Sequence, residues 1–445
     1  MNKSSTFSLP AVSLPAVVCS VLALTVGAAQ LNLQAAEGDT AVMPKYTAEM
    51  EALTTDSRVQ AALDYVLTIE DQSRAELIEL TEIPAPPFKE EIRAAHFAKM
   101  LRARGLKDVS IDGAGNVIGR RPGKSGDKVV AYAAHLDTVF PEGTDVTVKF
   151  EGEKMVSPGI GDNTRGLVTL LEVISAFDSA GIETEADVLF IGNVGEEGLG
   201  DLRGVKYLFR DGAEKIDTFI AVDGGNAERI VYGGVGSHRY RVTFRGPGGH
   251  SWGAFGLANP QHALGRAIAL FDEHAPSVTS VGEKTSYNVG RIGGGTSINS
   301  IPFEAWMEID MRSGNQGKLD DIDAVLQSAI QTALEQENEG RLDGPPLTVD
   351  VDRVGTRPAA KGDASSALVQ RAMAATTALG VAPSLQISST DSNLPISKGI
   401  PAVTMSRGGK SGKAHSLHEW WQPIDAHLGP QIGILTILAE AGLAD

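Results

Sequence analysis

The sequence predicts an α/β fold whose core is a largely parallel β-sheet covered by helices on both faces. Two observations lead there. The apolar runs Val129 to Ala134, Val188 to Val194, Phe219 to Val222 and Ala402 to Met405 are short and continuous, as strands buried on both faces are. Between the first two, Leu167, Leu170, Leu171, Ile174 and Phe177 repeat at helical spacing within Thr164 to Ala180, and Gly181 closes that helix. The chain has 445 residues, more than the roughly 250 to 300 at which single cores stop growing, so two domains are expected.

Read from the start, Met1 to Ser8 is polar and carries Lys3, and a mostly apolar run from Leu9 to Ala29 ends in Gly27, Ala28 and Ala29. This is the layout of a secretory signal peptide over 1–29, which directs the mature protein to the periplasm or outside the cell. Pro10, Pro15 and Ser20 interrupt the run, and its most apolar part falls short of the roughly 20 residues that a spanning helix needs. The only cysteine, Cys19, lies within it, and Val18 before it does not suit lipid attachment. Residues 30–45 read as a tether. Helical periodicity begins near Met50 and returns in Ala75 to Ile83 and in Glu90 to Arg104, which Gly105 closes. The formal net charge of -17 argues against nucleic acid or an anionic membrane as partner, because both are bound through Lys and Arg.

Ligands of such sheets bind beyond the carboxyl ends of the strands. His135 and Asp137 follow the first apolar run, Glu196 and Glu197 the second, and Asp223 the third. Asp162 lies in the loop Pro158 to Asn163 before a helix, and His415 lies in a glycine-rich loop past Met405. Any one of these alone reads as a solvated side chain or a cap. His135, Asp162, Glu197, Asp223 and His415 together, all at exits of one polarity, read as a metal site. Imidazole with carboxylate suits zinc, and a catalytic zinc keeps a position open for water. Two histidines and three carboxylates exceed the needs of one such ion and match two that share a carboxylate. The expected cofactor is therefore two Zn2+ per chain, with Co2+ or Mn2+ able to substitute.

The segments His135-Leu136-Asp137-Thr138, Gly161-Asp162-Asn163, Glu196-Glu197, Asp223 and His415 to Glu419 carry a family resemblance in their order and spacing. From about residue 70 onward the chain resembles the zinc exopeptidase and aminoacylase group, which includes peptidase T, glutamate carboxypeptidases, acetylornithine deacetylase and succinyl-diaminopimelate desuccinylase. The resemblance implies that Asp162 bridges both zincs, that His135 and Asp223 complete one site, and that Glu197 and His415 complete the other. It further implies that Glu196 is the general base, that Asp137 orients the His135 imidazole, and that the Asp162-Asn163 peptide is cis. The implied activity is metal-assisted hydrolysis of an amide or peptide bond in a small peptide or an N-acyl amino acid.

By the same resemblance, residues 236–352 form a lid and dimerisation domain inserted between two parts of the catalytic domain, 46–235 and 353–445. Tyr240 to Arg245 alternates as a strand, Pro260 to Phe271 reads as a helix, Glu304 to Arg312 as a strand and Leu319 to Gln336 as a helix. That order suits a ferredoxin-like layer. Gly248-Gly249-His250-Ser251 resembles the segment whose histidine reaches a neighbouring subunit's site in a homodimer. Asn299 and Arg312 resemble the residues that hold the substrate.

His96, His262, His274, His418 and His427 have no partner in these motifs. Two further readings remain beside the zinc hydrolase. Gly249-His250-Ser251-Trp252-Gly253 matches the nucleophile elbow of serine hydrolases, with Ser251 as nucleophile. A catalytically silent binding protein on the same fold is the other.

Overall fold

A computed structural model describes residues 41–445. The expected signal peptide and most of the expected tether lie outside the described residues. Pro44 and Lys45, placed in that tether by the sequence, instead open the helix Pro44–Thr55, where a proline in the first turn sacrifices no hydrogen bond. Among the described residues no helix is long and apolar enough to cross a membrane.

Twelve strands carry the architecture. In chain order they are β1 Lys107–Ile111, β2 Val117–Arg121, β3 Val129–His135, β4 Asp187–Asn193, β5 Thr218–Val222, β6 Arg229–Gly234, β7 Gly236–Arg245, β8 Thr285–Gly294, β9 Glu304–Ser313, β10 Thr348–Arg357, β11 Ser384–Ser388 and β12 Ala402–Met405. The main sheet has the order β1-β2-β4-β3-β5-β12-β6-β11. Its four central strands, β4, β3, β5 and β12, are parallel. The antiparallel strands β1 and β2 extend one edge, and β6 with β11 extends the other.

Every residue of β3 is buried, and its two sets of alternating side chains enter different cores. Val130, Tyr132 and Ala134 pack with the helices Gly166–Ser179 and Leu428–Ala441, whereas Val129, Ala131 and Ala133 pack with Leu202, Val205 and Leu208. Both faces are thus covered, which explains the continuous apolar runs. The helix expected over Thr164 to Ala180 is regular over Gly166–Ser179. It is preceded by a wider turn, Ile160–Arg165, in which Asp162 and Asn163 leave helical geometry.

The second layer is built from β7, the helix Pro260–His274, β8, β9, the helix Gln316–Gly340 and β10. Its sheet has the order β8-β9-β7-β10 with every pair antiparallel, a ferredoxin-like layer. Asn259 and Asn315 cap the two helices by accepting from the backbone amides of Gln261 and Lys318. Along β9, Ala305, Met307, Ile309 and Met311 are buried beneath these helices, while Trp306, Glu308, Asp310 and Arg312 alternate with them on an open face. β10 continues to Arg357, past the boundary expected at 352, because its ladder with β7 runs to the Arg357–Ser237 pair.

Phe177 is fully buried in the helix beneath the main sheet. Phe177→Ala is expected to cost about 3–5 kcal/mol of unfolding free energy in urea denaturation, and a cost under about 1 kcal/mol would contradict close packing there.

Candidate metal centre

The carboxyl ends of the parallel strands open on one rim, and the sequence-predicted acids and histidines gather there. His135 is the last residue of β3, and Glu196 and Glu197 follow β4 directly. Asp162 occupies the non-helical part of the turn before Gly166–Ser179, and its peptide bond to Asn163 is cis. The Asp162 carboxylate faces two imidazoles. Its Oδ1 lies 3.4 Å from His135 Nε2, and its Oδ2 lies 3.2 Å from His415 Nε2. His415 Nε2 also lies 2.9 Å from Glu197 Oε1. His135, Asp162 and Glu197 each present an atom within 4.8 Å of the other two. Asp223 stands outside that close group: its Oδ1 lies 3.2 Å from Arg407 Nη1, which is 3.8 Å from Asp162 Oδ1.

The cluster attracts positive charge. Hydrogen bonds to Asp162 and then to Glu197 push the His415 imidazole up to about 10. Burial alone would lower His135, but the neighbouring carboxylates of Asp137 and Asp162 outweigh it and raise the imidazole well above its ordinary value. At 3.4 Å the His135–Asp162 approach lacks hydrogen-bond alignment, and Nε2 is buried without a hydrogen-bond partner among the described residues. An orphaned imidazole nitrogen beside converging carboxylate oxygens is the donor set that zinc takes, so these residues fit a metal ion.

The supporting contacts differ in part from the sequence expectation. Asp137 was expected to orient His135 through its carboxylate, yet the imidazole Nδ1 lies 3.0 Å from the Asp137 backbone oxygen and 3.7 Å from Oδ1. The Asp137 carboxylate instead accepts the backbone amides of Glu196 and Glu197 at 3.0 and 2.8 Å, so this acid fixes the loop that carries them. Glu419 does the same for Asp162. Its buried carboxylate accepts the amides of Gly159, Gly161 and Asp162 at 3.0, 2.9 and 2.7 Å. Burial, with the nearby charge of Asp162, pushes the Glu419 carboxyl up to about 7.

Three other groups escaped the sequence reading. Arg407 neutralises Asp223. Asp391 is buried, accepts from Asn193 Nδ2 at 2.8 Å, and is pushed up to about 7 by burial. Arg357 donates to Glu196 Oε1 at 2.8 Å. Burial pushes the Glu196 carboxyl up to about 8, against the pull of that guanidinium. A buried arginine or acid far along the chain carries no local pattern; only its rarity in a core could have drawn attention.

The lid residues His250, Asn299 and Arg312 make their hydrogen bonds within the lid. His250, exposed, pairs with Ser300 across a two-residue ladder, and its Nδ1 accepts from the amides of Trp252 and Gly253. The Asn299 backbone oxygen accepts from the Ser251 amide, so His250 and Asn299 lie beside one short antiparallel ladder. Arg312 donates to Asp310 at 2.7 Å, the structural ion pair that competes with a substrate role. Asp310 also accepts from Arg239, which donates to the backbone oxygen of Gly198 next to Glu197. The open face of the lid therefore meets the loop that carries Glu196 and Glu197. Ser251 lies in a run of turns between the short strand Gly249–His250 and the helix that starts at Pro260, so the strand–turn–helix elbow of a serine nucleophile is absent there.

Residues 131–441 match the profile of Peptidase family M20/M25/M40. A Bacillus subtilis (strain 168) protein, YqjE, is 24% identical over 384 residues, which span 82% of this chain and 97% of that protein. Carboxypeptidase G2 from Pseudomonas sp. (strain RS-16) is 24% identical over 266 residues, 58% of this chain and 60% of its own. The crystal structure of aminopeptidase PepT from Bacillus cereus ATCC 10987 superposes with a TM-score of 0.66 at 23% identity, covering 83% of this chain and 98% of that one.

Glu419→Ala would orphan three loop amides at about 1–3 kcal/mol each and release Asp162. Elemental analysis should find most of the bound metal lost, although Glu419 is no ligand; full occupancy in a folded variant would show that the loop holds its place alone.

Proposed function

We propose a reaction from one premise: the chain belongs to peptidase family M20/M25/M40. It is a hydrolase of that family, and the finer reading is cleavage of an amide or peptide bond in a small peptide or N-acyl amino acid at a centre of two zinc ions. The observation that carries it is the Asp162 carboxylate, whose two oxygens face two different imidazoles. His135, Asp162 and Asp223 would hold one ion, and Asp162, Glu197 and His415 the other, with Co2+ or Mn2+ as substitutes. Bound zinc supplies Lewis acidity for the scissile carbonyl and makes a neutral-pH nucleophile of water.

Glu196 takes the proton of the attacking water and returns it to the leaving amine. Asp137 keeps Glu196 and Glu197 in place through their amides, and Glu419 does so for Asp162. Asn299 and Arg312 bind the substrate from the lid. A guanidinium fork matches a carboxylate, so Arg312 would exchange Asp310 for a substrate carboxylate. His250 stabilises the oxyanion across a homodimer formed through the lids. The exposed Trp252, Phe255 and Ile298 near it supply apolar surface for such an interface. The protein acts in the periplasm or outside the cell, after export directed by residues 1–29. Relatives named aminopeptidase and carboxypeptidase support action near a peptide terminus.

Hydrolysis of dipeptides, tripeptides and N-acyl amino acids, each with and without a chelator, tests the activity. Elemental analysis should find close to two metals per chain, with both lost in Asp162→Ala. Chelator-insensitive turnover would defeat the zinc reading. The two adjacent glutamates separate by phenotype. Glu196→Gln should retain metal while kcat drops by the roughly 10²- to 10⁴-fold that general acid–base work contributes, and Glu197→Gln should lose metal affinity. Exchanged phenotypes would reverse the two roles.

A further inference from the structure

Arg357 is the last residue of β10, where the chain leaves the lid, and Glu196 lies beyond β4 in the catalytic layer. Arg357 Nη1 donates to Glu196 Oε1 at 2.8 Å and to Ser389 Oγ at 3.1 Å, and Nη2 donates to the Glu196 backbone oxygen. The two side chains are only 5% and 6% exposed, so solvent does not compete for the pairing. Among the described residues Glu196 Oε2 accepts no hydrogen bond. One carboxylate oxygen is therefore tied and the other is left for a proton.

We propose that Arg357 is a positioning residue for the general base: the lid strand fixes Glu196 through this guanidinium, so the base is aimed only while β10 is seated on the catalytic layer. The proposal rests on the reading of Glu196 as base. A glutamate freed from this contact has several rotamers open to it, and each one turned away from the reacting water is unproductive. The geometry also asks for arginine in particular. Two nitrogens of one plane meet the side chain and the backbone of the same residue, which the single ammonium of lysine does not reproduce. On its other side Arg357 borders a cavity of about 440 Å³ shared with Thr356, His238 and Lys398. Its Nε has no partner among the described residues. Truncation at 357 would open the vacated space to this cavity, giving a small cation from solvent a route to Glu196.

The test compares metal-loaded wild type, Arg357→Ala, Arg357→Lys, Glu196→Gln and Arg357→Ala/Glu196→Gln for kcat, KM, metal content and Tm. Arg357→Ala is expected to keep its metal and its KM within about twofold while kcat falls at least tenfold, a share of the ~10²- to 10⁴-fold attributed to the base. Millimolar guanidinium chloride should restore part of that kcat, and Arg357→Lys should fall in between without rescue. In the Glu196→Gln background the loss of Arg357 should cost no further kcat, because residues that act as a unit are not additive. An unchanged kcat in Arg357→Ala, or an equal fractional loss in both backgrounds, would overturn the proposal. Should Arg357→Ala lose its metal, Arg357→Lys carries the same comparison. Full activity in Glu196→Gln would sink the base reading itself, whereas an inactive Glu196→Gln beside a fully active Arg357→Ala would sink only the role of Arg357.

Discussion

Carboxylates repel one another, and this protein gathers Asp162, Glu196, Glu197 and Asp223 on one rim with two histidines. That crowding is the constraint to which the surrounding structure answers. The answer is backbone: Asp137 grips the amides of Glu196 and Glu197, and Glu419 grips those of Gly159, Gly161 and Asp162. Each outer acid is itself satisfied by N–H groups of the loop it holds, and so fixes the backbone from which the inner acids project. Arg407 and Arg357 supply the compensating positive charge from within the protein, Arg357 against Glu196 and Arg407 between Asp223 and Asp162.

The scaffold makes this affordable by keeping loops short and strands rigid. β3 and β4 run side by side in register from Val129–Asp187 to His135–Asn193, so His135 and the glutamates emerge at the same height. The register, set by side chains that enter two different cores, leaves no freedom to slip.

Much of this was readable from the chain. Continuous apolar runs located β3, β4, β5 and β12, and polar residues at their ends located His135, Glu197 and Asp223. The lid was harder. β8 begins Thr285-Ser286-Tyr287 and ends in Ile292-Gly293-Gly294, with most of its residues partly or wholly exposed, so it offers little apolar alternation to detect. β10 carries Asp350, Asp352 and Arg353 on a half-open strand for the same reason. The roles of Arg357, Asp391 and Glu419 were out of reach because each arises from a contact across the fold, with no spacing rule to join its partners. Asp137 shows a subtler limit. Its position near His135 was legible, but whether its carboxylate or its carbonyl meets the imidazole depends on loop geometry that the sequence does not encode locally.

The strand order also fixes the order in which the molecule is able to assemble. β12 is the last strand of the main sheet to appear in the chain, yet it sits inside that sheet between β5 and β6. A nascent chain that has already emerged through β11 still has a gap in the middle of its main sheet. The lid, whose strands β7 to β10 pair only with one another in a sheet of their own, is complete before that gap is filled. His415 and Glu419 come later still, so the loop that holds Asp162 receives its anchor only from the final segment. Polypeptide cut short before residue 402 carries Asp162, Glu196, Glu197 and Asp223 but lacks β12, His415 and the Glu419 anchor of the Asp162 loop.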